Sequence, residues 1–452
     1  MSIVQIAPFK ALASWSPPGS QIAASEWPMA QMSELATEIK AVAHTPADDE
    51  IVRFAGVRWY GNGTFVREER TGDQVIGKCY PMVPGALIYN RLFGWKSAFA
   101  LVPAEMAGVM VSNEFPQFRV NEEVADSSFI NLVCGSDAFA KVMLGRSTGT
   151  TAVSRNRLRV QDFLDLVVPL PPLETQQRIV ADRNARITEA EELISKGIER
   201  RENAWIAFEE ALGVLATEPV EVTQTVSIAR FASLSRWDAE APDAEMTLVY
   251  PMEPLDALAD IRLGCQVPKK GADVTGVTRP YLRAANVQRG RLDLSDVKNM
   301  TVSQAQTEAL ELKESDLLFL EGSGSLQEIG RCAIWDGQFE QCIHQNSVVR
   351  GRITSDRLVA TFAMAWFNSD PGSAYFRAQA TTTSGLFHIG AGKTAKAPVP
   401  LPPVEVQEEL AQALWSEIAA VEADKALAGA LLAQAATEFD AAVFGKAQAA
   451  AS

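Results

Sequence analysis

Two stretches of the chain keep apolar residues at alternating steps of three and four, the pattern of a helix that buries one narrow face. In the first, Ile187, Ala190, Ile194, Ile198, Arg201, Trp205, Phe208, Leu212 and Leu215 share one line, predicting a helix from about Leu173 to Leu215. In the second, Leu414, Ile418, Val421, Lys425, Ala428, Leu432, Ala435 and Phe439 do the same, predicting a helix from about Val404 to Phe444. Each stripe is the a/d seam of a coiled coil, narrower than the face of a helix lying on a sheet. Neither helix can hide its seam alone, so the simplest solution is that they pack on each other. With a whole domain between them, they are expected to pair antiparallel, as a rod on the order of 60 Å for about 40 residues each. Elsewhere the pattern is mixed. Short β-type runs such as "GALIYN" and "DLLFL" are bounded by Gly, Pro and Asp, and helical patches (Ser127–Leu144, Ser355–Ser369) lie between such runs.

The chain is also written twice. "VVPLPPLETQQRI" (Val167–Ile179) and "APVPLPPVEVQEEL" (Ala397–Leu410) carry the same tract 231 residues apart. At that offset "PGALIYNR" (Pro84–Arg91) falls on "SDLLFLEG" (Ser315–Gly322), and Thr150 and Thr151 fall on Thr381 and Thr382. "PMAQMSELATEI" (Pro28–Ile39) resembles "PMEPLDALADI" (Pro251–Ile261), and "VSNEF" (Val111–Phe115) lies where "HQNSV" (His344–Val348) falls. Shared order and near-constant spacing make this a duplication. The expected organisation is a first α/β domain at 1–172, a helix at 173–217, a linker at 218–235, a second domain at 236–403, a helix at 404–446 and a tail at 447–452. The fold class is α+β: two α/β domains joined by two long helices that form an antiparallel coiled coil, with a pseudo-twofold internal repeat. Each "PLPP" reads as a strand-to-helix junction rather than a polyproline ligand, since proline favours extended geometry before it and is tolerated in a first helical turn. Glu174 and Glu405 then fall at the positive end of the helix dipole.

Charge adds a qualification. The net charge of −15 is unlike a nucleic-acid binder, but the average hides a distribution. Residues 1–166 carry 15 Lys/Arg against 17 Asp/Glu, and 236–397 carry 17 against 20. Residues 167–235 carry 7 against 11, and 398–452 carry 2 against 8, so acidity concentrates where the long helices lie. Near-neutral domains imply weak DNA affinity alone, because phosphate neutralisation supplies much of such binding. The five cysteines and three histidines are scattered, which supports neither a disulfide framework nor a metal site. No run of about 18 apolar residues is present, so no membrane span is expected. Without a basic region ahead of the short apolar start, a cytoplasmic address is expected.

The two "VPLPP" tracts look like the domain-end signature of the specificity subunits of type I restriction-modification enzymes. "VRWYGNGTFVREE" (Val57–Glu69), with Pro84–Pro103 and "VSNEFPQF", resembles one style of target recognition domain. "LADIRLGCQVP", with "PYLRAANVQRGRLDLSDVKNM" (Pro280–Met300) and "ESDLLFLEGSGS", resembles another. The resemblance covers nearly the whole chain. It implies that each recognition domain binds one half of a split target on double-stranded DNA. The helices would set the spacing and dock two adenine-N6 methyltransferase subunits, which restriction subunits join in phage defence. S-adenosylmethionine, ATP and Mg would belong to those partner subunits, with no cofactor in this chain. Unlike domains imply an asymmetric target. One departure stands out: where the family often has Gly-Asp before the apolar strand, this chain has Pro84–Gly85 and Ser315–Asp316.

Candidate DNA contacts are polar clusters beside strands, because Arg and Lys read guanine, Asn and Gln read adenine, and most basic contacts go to phosphate. In the first domain these are Arg58, Tyr60, Asn62, Arg67, Asn90, Arg91 and Lys96. In the second they are Arg279, Tyr281, Arg283, Asn286, Arg289, Arg291, Ser323, Ser325 and Arg331. Thr150, Thr151, Thr381, Thr382 and Ser384 are second-rank phosphate candidates. Trp205 and Phe208 either pack in the seam or dock a partner. "IGAGKT" (Ile389–Thr394) lacks the first glycine of a phosphate loop, having Phe387 there. No methyltransferase or nucleophile motif is present, so the chain is read as a non-catalytic specificity subunit.

Overall fold

The computed structural model describes residues 25–146, 157–214, 249–267, 276–383 and 385–445. The expected linker (218–235) and tail (447–452), and the candidates Thr150, Thr151 and Ser384, lie outside the described residues. The chain divides into two units, 1–194 with 426–452, and 195–425. Each unit therefore holds one domain together with a piece of both long helices.

In the first unit the apolar run at "GALIYN" forms the strand Leu87–Tyr89, inside a four-stranded antiparallel sheet ordered Ala36–Glu38, Gln117–Val120, Leu87–Tyr89, Phe99–Leu101. Tyr89, Phe99, Phe118 and Phe163 fill its buried face with ring centroids 4.8 to 5.9 Å apart, a spacing that suits aromatic quadrupoles. A second sheet runs Thr64–Thr71, Ile51–Val57, Met110–Val111, Tyr80–Pro81, and its Ile51–Val57/Met110–Val111 pairing is parallel.

The second unit repeats this plan. Ala259–Leu263, Val348–Ile353, Leu317–Leu320 and Cys332–Ile334 form a sheet of the same order. Lys298–Val302, Val277–Leu282 and Ile343–His344 form the second, again with one parallel pairing, between Val277–Leu282 and Ile343–His344. Ser315–Asp316 differs from its counterpart. Asp316 is buried and takes both Nε and Nη2 of Arg352, whereas Gly85 adopts a positive φ of 78° and no side chain stands there.

The repeated tracts meet in space. "PM" pairs with "VP": Met29 lies opposite Pro169 in one unit and Met252 opposite Pro400 in the other. Leu170 N donates to Pro28 O, and Leu401 N donates to Pro251 O. After each "PLPP" comes a fully buried glutamine. Gln176 Nε2 donates to Pro171 O (2.8 Å) and Val124 O (3.2 Å), and its Oε1 accepts from Asp126 N (2.9 Å). Gln407 Nε2 donates to Pro402 O (2.8 Å) and Arg357 O (2.8 Å), and its Oε1 accepts from Val359 N (2.9 Å). Each glutamine thus ties the start of its long helix to the loop that opens the helix at Ser127–Gly135 or Ala360–Asn368.

The first long helix is Leu173–Ala211 and the second is Val404–Phe444. Their inward positions recur every seven residues: Gln176, Arg183, Ala190, Gly197 and Ala204 on one, Gln407, Leu414, Val421, Ala428 and Ala435 on the other. This corrects the expected seam at five places, the first being Arg201, which is exposed. Ile194 and Ile198 face outward, Ile198 being 65% exposed, and Lys425 and Leu432 are also exposed. The seam prefers small residues because they let helices approach closely, as where Gly197 meets Val421. Outside the seam, arginines on the first helix meet acids on the second. In the first unit Arg186 pairs with Glu438 (2.8 Å), and Asp440 stands beside Arg183. In the second unit Arg200 bridges Glu417 and Asp424, and Arg201 faces Glu422. Within each unit the two helices run antiparallel. The second helix is long and apolar enough, by length and composition, to cross a membrane, contrary to expectation. Its alanines give it that composition, and several of them line the seam.

Candidate nucleic-acid interface

In the first unit the strands Ile51–Val57 and Thr64–Thr71 are joined by a tight turn through Arg58, Trp59, Tyr60, Gly61, Asn62 and Gly63. Arg58 N closes the turn on Gly63 O (2.9 Å). Tyr60, Gly61 and Gly63 all take positive φ, so the chain reverses within a few residues. Arg58 Nη1 donates to Thr64 O (3.0 Å), and its guanidinium lies 4.9 Å from the Phe65 ring centre. A second turn, Gly94–Lys96 capped by Ser97, docks against the first. Lys96 Nζ then stands 3.4 Å from the centre of the Trp59 ring, a cation–π geometry. Arg58, Tyr60, Asn62 and Lys96 are thus brought into one exposed locus, with Trp59, which sequence reasoning had passed over, at its centre. The signal was present in "RWYGNG", where two aromatics precede a glycine turn that cannot bury both.

The other first-domain candidates lie outside this locus. Arg67 pairs with Glu68 through Nε (2.9 Å). Asn90 Oδ1 accepts from Leu92 N (3.0 Å) within a turn. Arg91 is half-buried, and its backbone receives Leu158 and donates to Glu114.

In the second unit two distant polar stretches meet in a small sheet. Gly322–Ser323 and Thr381–Thr383 flank Leu386–His388, so Ser323 and Thr382 both lie opposite Phe387. Ser325, Thr381 and Thr382 are exposed there, and His388 Nδ1 faces Glu321 Oε2 (3.3 Å). Arg291 is exposed on a short hairpin and Arg279 is half-buried on the strand Val277–Leu282.

Two second-domain candidates, Tyr281 and Asn286, are buried, and two more, Arg289 and Arg331, are half-buried with partners inside the domain. Tyr281 packs in a core with Met300 and Ile343. Asn286 is buried and holds its own loop, donating to Asp293 O (2.8 Å) and Asp296 O (3.2 Å) while accepting from Arg283 N (3.0 Å). Arg289 donates to Asn368 O (3.1 Å) and Gln327 O (2.8 Å), and burial pulls its pKa down. Arg331 pairs with Glu328 (2.7 Å) and donates to Ala284 O (3.3 Å). Asn286, Arg289 and Arg331 are thus tied to backbone carbonyls of their own domain. Arg283, paired with Asp296, stays partly exposed.

On the first long helix Phe208 is buried against Phe362, so it cannot dock a partner. Trp205 is half-buried and meets Trp415 edge-on at 6.0 Å. The exposed apolar side chains of that helix in the second unit are Ile198 and Ile206. Lys393 of "IGAGKT" gives its ammonium to Gln379 O, and the loop ends in a five-residue helix. Among the described residues, no group of three or more His, Cys, Asp or Glu is placed to hold a metal.

No family model matches the chain. Over 138 residues it is 31% identical to the type I restriction enzyme EcoKI specificity subunit of Escherichia coli (strain K12). That stretch is 30% of this chain and 29% of the relative, so the chain matches less than a third of its relative's length. Among solved structures, a chain of a type I R-M system, from work on its complex assembly and conformational transition, matches with TM-score 0.56 at 18% identity. The match covers 96% of this chain and 99% of that one. The HsdS subunit from Thermoanaerobacter tengcongensis matches with TM-score 0.49 at 17% identity, over 96% and 98% of the two chains. The chain therefore has the fold of a type I restriction-modification subunit and is similar in sequence to a specificity subunit.

Proposed function

We propose that the chain is the non-catalytic DNA-specificity subunit of a type I restriction-modification complex. Each domain reads one half of a split, asymmetric target on double-stranded DNA. The long helices dock two adenine-N6 methyltransferase subunits, and restriction subunits join them. S-adenosylmethionine, ATP and Mg are used by those partners in the cytoplasm. The observation that carries this reading is one scaffold built twice, with the same sheet order and the same glutamine at each junction, bearing two unlike polar surfaces. A protein that reads two different half-targets needs that combination. A scaffold that no longer reads DNA has no use for the solvent-facing Trp59, Tyr60 and Lys96 locus.

Mapping modified adenines genome-wide in cells that express the chain with its methyltransferase tests this. One bipartite motif with unlike halves is expected. A palindromic motif would sink the asymmetric reading, and the absence of any new methylation would sink the specificity role.

A further inference from the structure

The two docked turns of the first unit contain a strain that the fold alone does not require. Tyr60 (φ 57°) and Ser97 (φ 49°) both adopt left-handed backbone, which disfavours any side chain. The two turns are bonded together: Tyr60 N donates to Lys96 O (2.9 Å) and Gly61 N donates to Ser97 O (3.0 Å). From the other side, Gly61 lies so near Gly135 that a Cβ on it would stand 3.3 Å from the Gly135 Cα. The tip is therefore held from two directions. A turn kept only for chain reversal would place glycine at position 60, as it does at 61 and 63. It carries instead a tyrosine that is 57% exposed. Trp59 rests on Phe93 with ring centres 5.6 Å apart and holds the Lys96 ammonium over its face. Strained backbone kept beneath an exposed aromatic, with a cation fixed alongside, is arranged for contact with an anionic partner that also offers apolar surface.

We propose that this tip is a specificity-determining contact for the first half of the DNA target. Tyr60 packs its ring against a base edge, and Lys96, positioned by Trp59, meets the adjoining phosphate. The proposal rests on the DNA-reading function above. Tyr60 supplies sequence preference, since base-edge and thymine-methyl contacts discriminate. Lys96 supplies affinity without preference, as phosphate contacts do.

The test uses the full chain with its methyltransferase, as wild type, Tyr60→Gly and Lys96→Ala. Binding is measured to duplexes carrying the mapped target and single-base changes in each half, alongside the unfolding midpoint. Glycine relieves the left-handed strain, so the midpoint of Tyr60→Gly is expected to stay or rise while affinity falls about tenfold or more. Its discrimination should relax at one position of the first half-target and stay intact in the second. Lys96→Ala should weaken all duplexes alike. Wild-type affinity and discrimination in Tyr60→Gly would overturn the proposal. So would a loss of affinity accompanied by a lowered midpoint, which would make the tip scaffold only. A wild-type complex that selects no DNA target would overturn the DNA-reading function itself, and this contact with it.

Discussion

Gln176 and Gln407 make the same three kinds of hydrogen bond in the two repeats, to a proline carbonyl, a loop carbonyl and a loop amide. The surfaces carried by those two frames are assembled from different parts. In the first unit a strained hairpin tip presents Trp59, Tyr60 and Lys96. In the second, Ser323, Thr381 and Thr382 gather on one small sheet. A buried clamp with every bond satisfied tolerates little change, since an orphaned buried amide or carbonyl is expensive. An exposed tip is free to diverge. Duplication therefore kept what holds each domain to its helix and released what faces outward.

The likeness of the clamps is most directly broken by removing them. Gln176→Leu and Gln407→Leu should each remove three hydrogen bonds to the backbone, the one to the proline carbonyl buried, and destabilise their own unit by on the order of 2 to 4 kcal/mol. Hydrogen exchange read by mass spectrometry should place each loss at its own junction, Val124–Asp126 or Arg357–Val359. A loss in only one of the two would show that matching geometry hides unequal roles.

A smaller effect should separate the units by acidity. His344 is fully buried in the second unit, and burial holds its pKa down to about 4. Between its ordinary value and about 4, the unfolded chain binds a proton that the folded unit refuses, so stability is lost as pH falls through that window. The full swing is about 3 kcal/mol. Among the described residues the first unit offers only His44, which is partly exposed. Urea midpoints followed from pH 7 to 4 should fall more for the second unit, and His344→Asn should flatten the difference.

The smallest effect concerns the helices. Ile198→Ser should change stability by less than about 0.5 kcal/mol, because the side chain is exposed. Gly197→Leu, one residue away, should lower the midpoint clearly, since Gly197 faces Val421. Urea unfolding of the two variants would decide whether the seam runs through small residues or through isoleucines.

Much of this frame was legible in the sequence. The 231-residue offset carries the strand Val167–Pro169 onto Pro398–Pro400, and the short helix Val160–Leu164 onto Ala391–Ala395. The second long helix runs over the expected Val404–Phe444. The seam was misread beyond Ala190 because apolarity drew it through Ile194 and Ile198, whereas close helix approach selects Gly197 and Ala204. The binding surface was harder still. Arg289 and Arg331 look like DNA-binding arginines in sequence, but both donate to backbone carbonyls of their own domain. No local pattern tells a committed guanidinium from a free one, because its acceptors arrive from remote segments such as Asn368 and Gln327. Trp59 was missed for the reverse reason: its importance comes from Lys96, which reaches it only after folding.

The division of charge between the long helices also bears on the order of folding. About 190 residues separate the end of the first helix at Ala211 from the start of the second at Val404. At 5 to 20 residues per second, the first helix leaves the ribosome roughly 10 to 40 s before its partner exists. Its inward line of Gln176, Arg183, Ala190, Gly197 and Ala204 offers little grease to any other surface during that wait. The late helix brings the acids that the first helix's arginines meet, so the pair closes only once the second helix has been made.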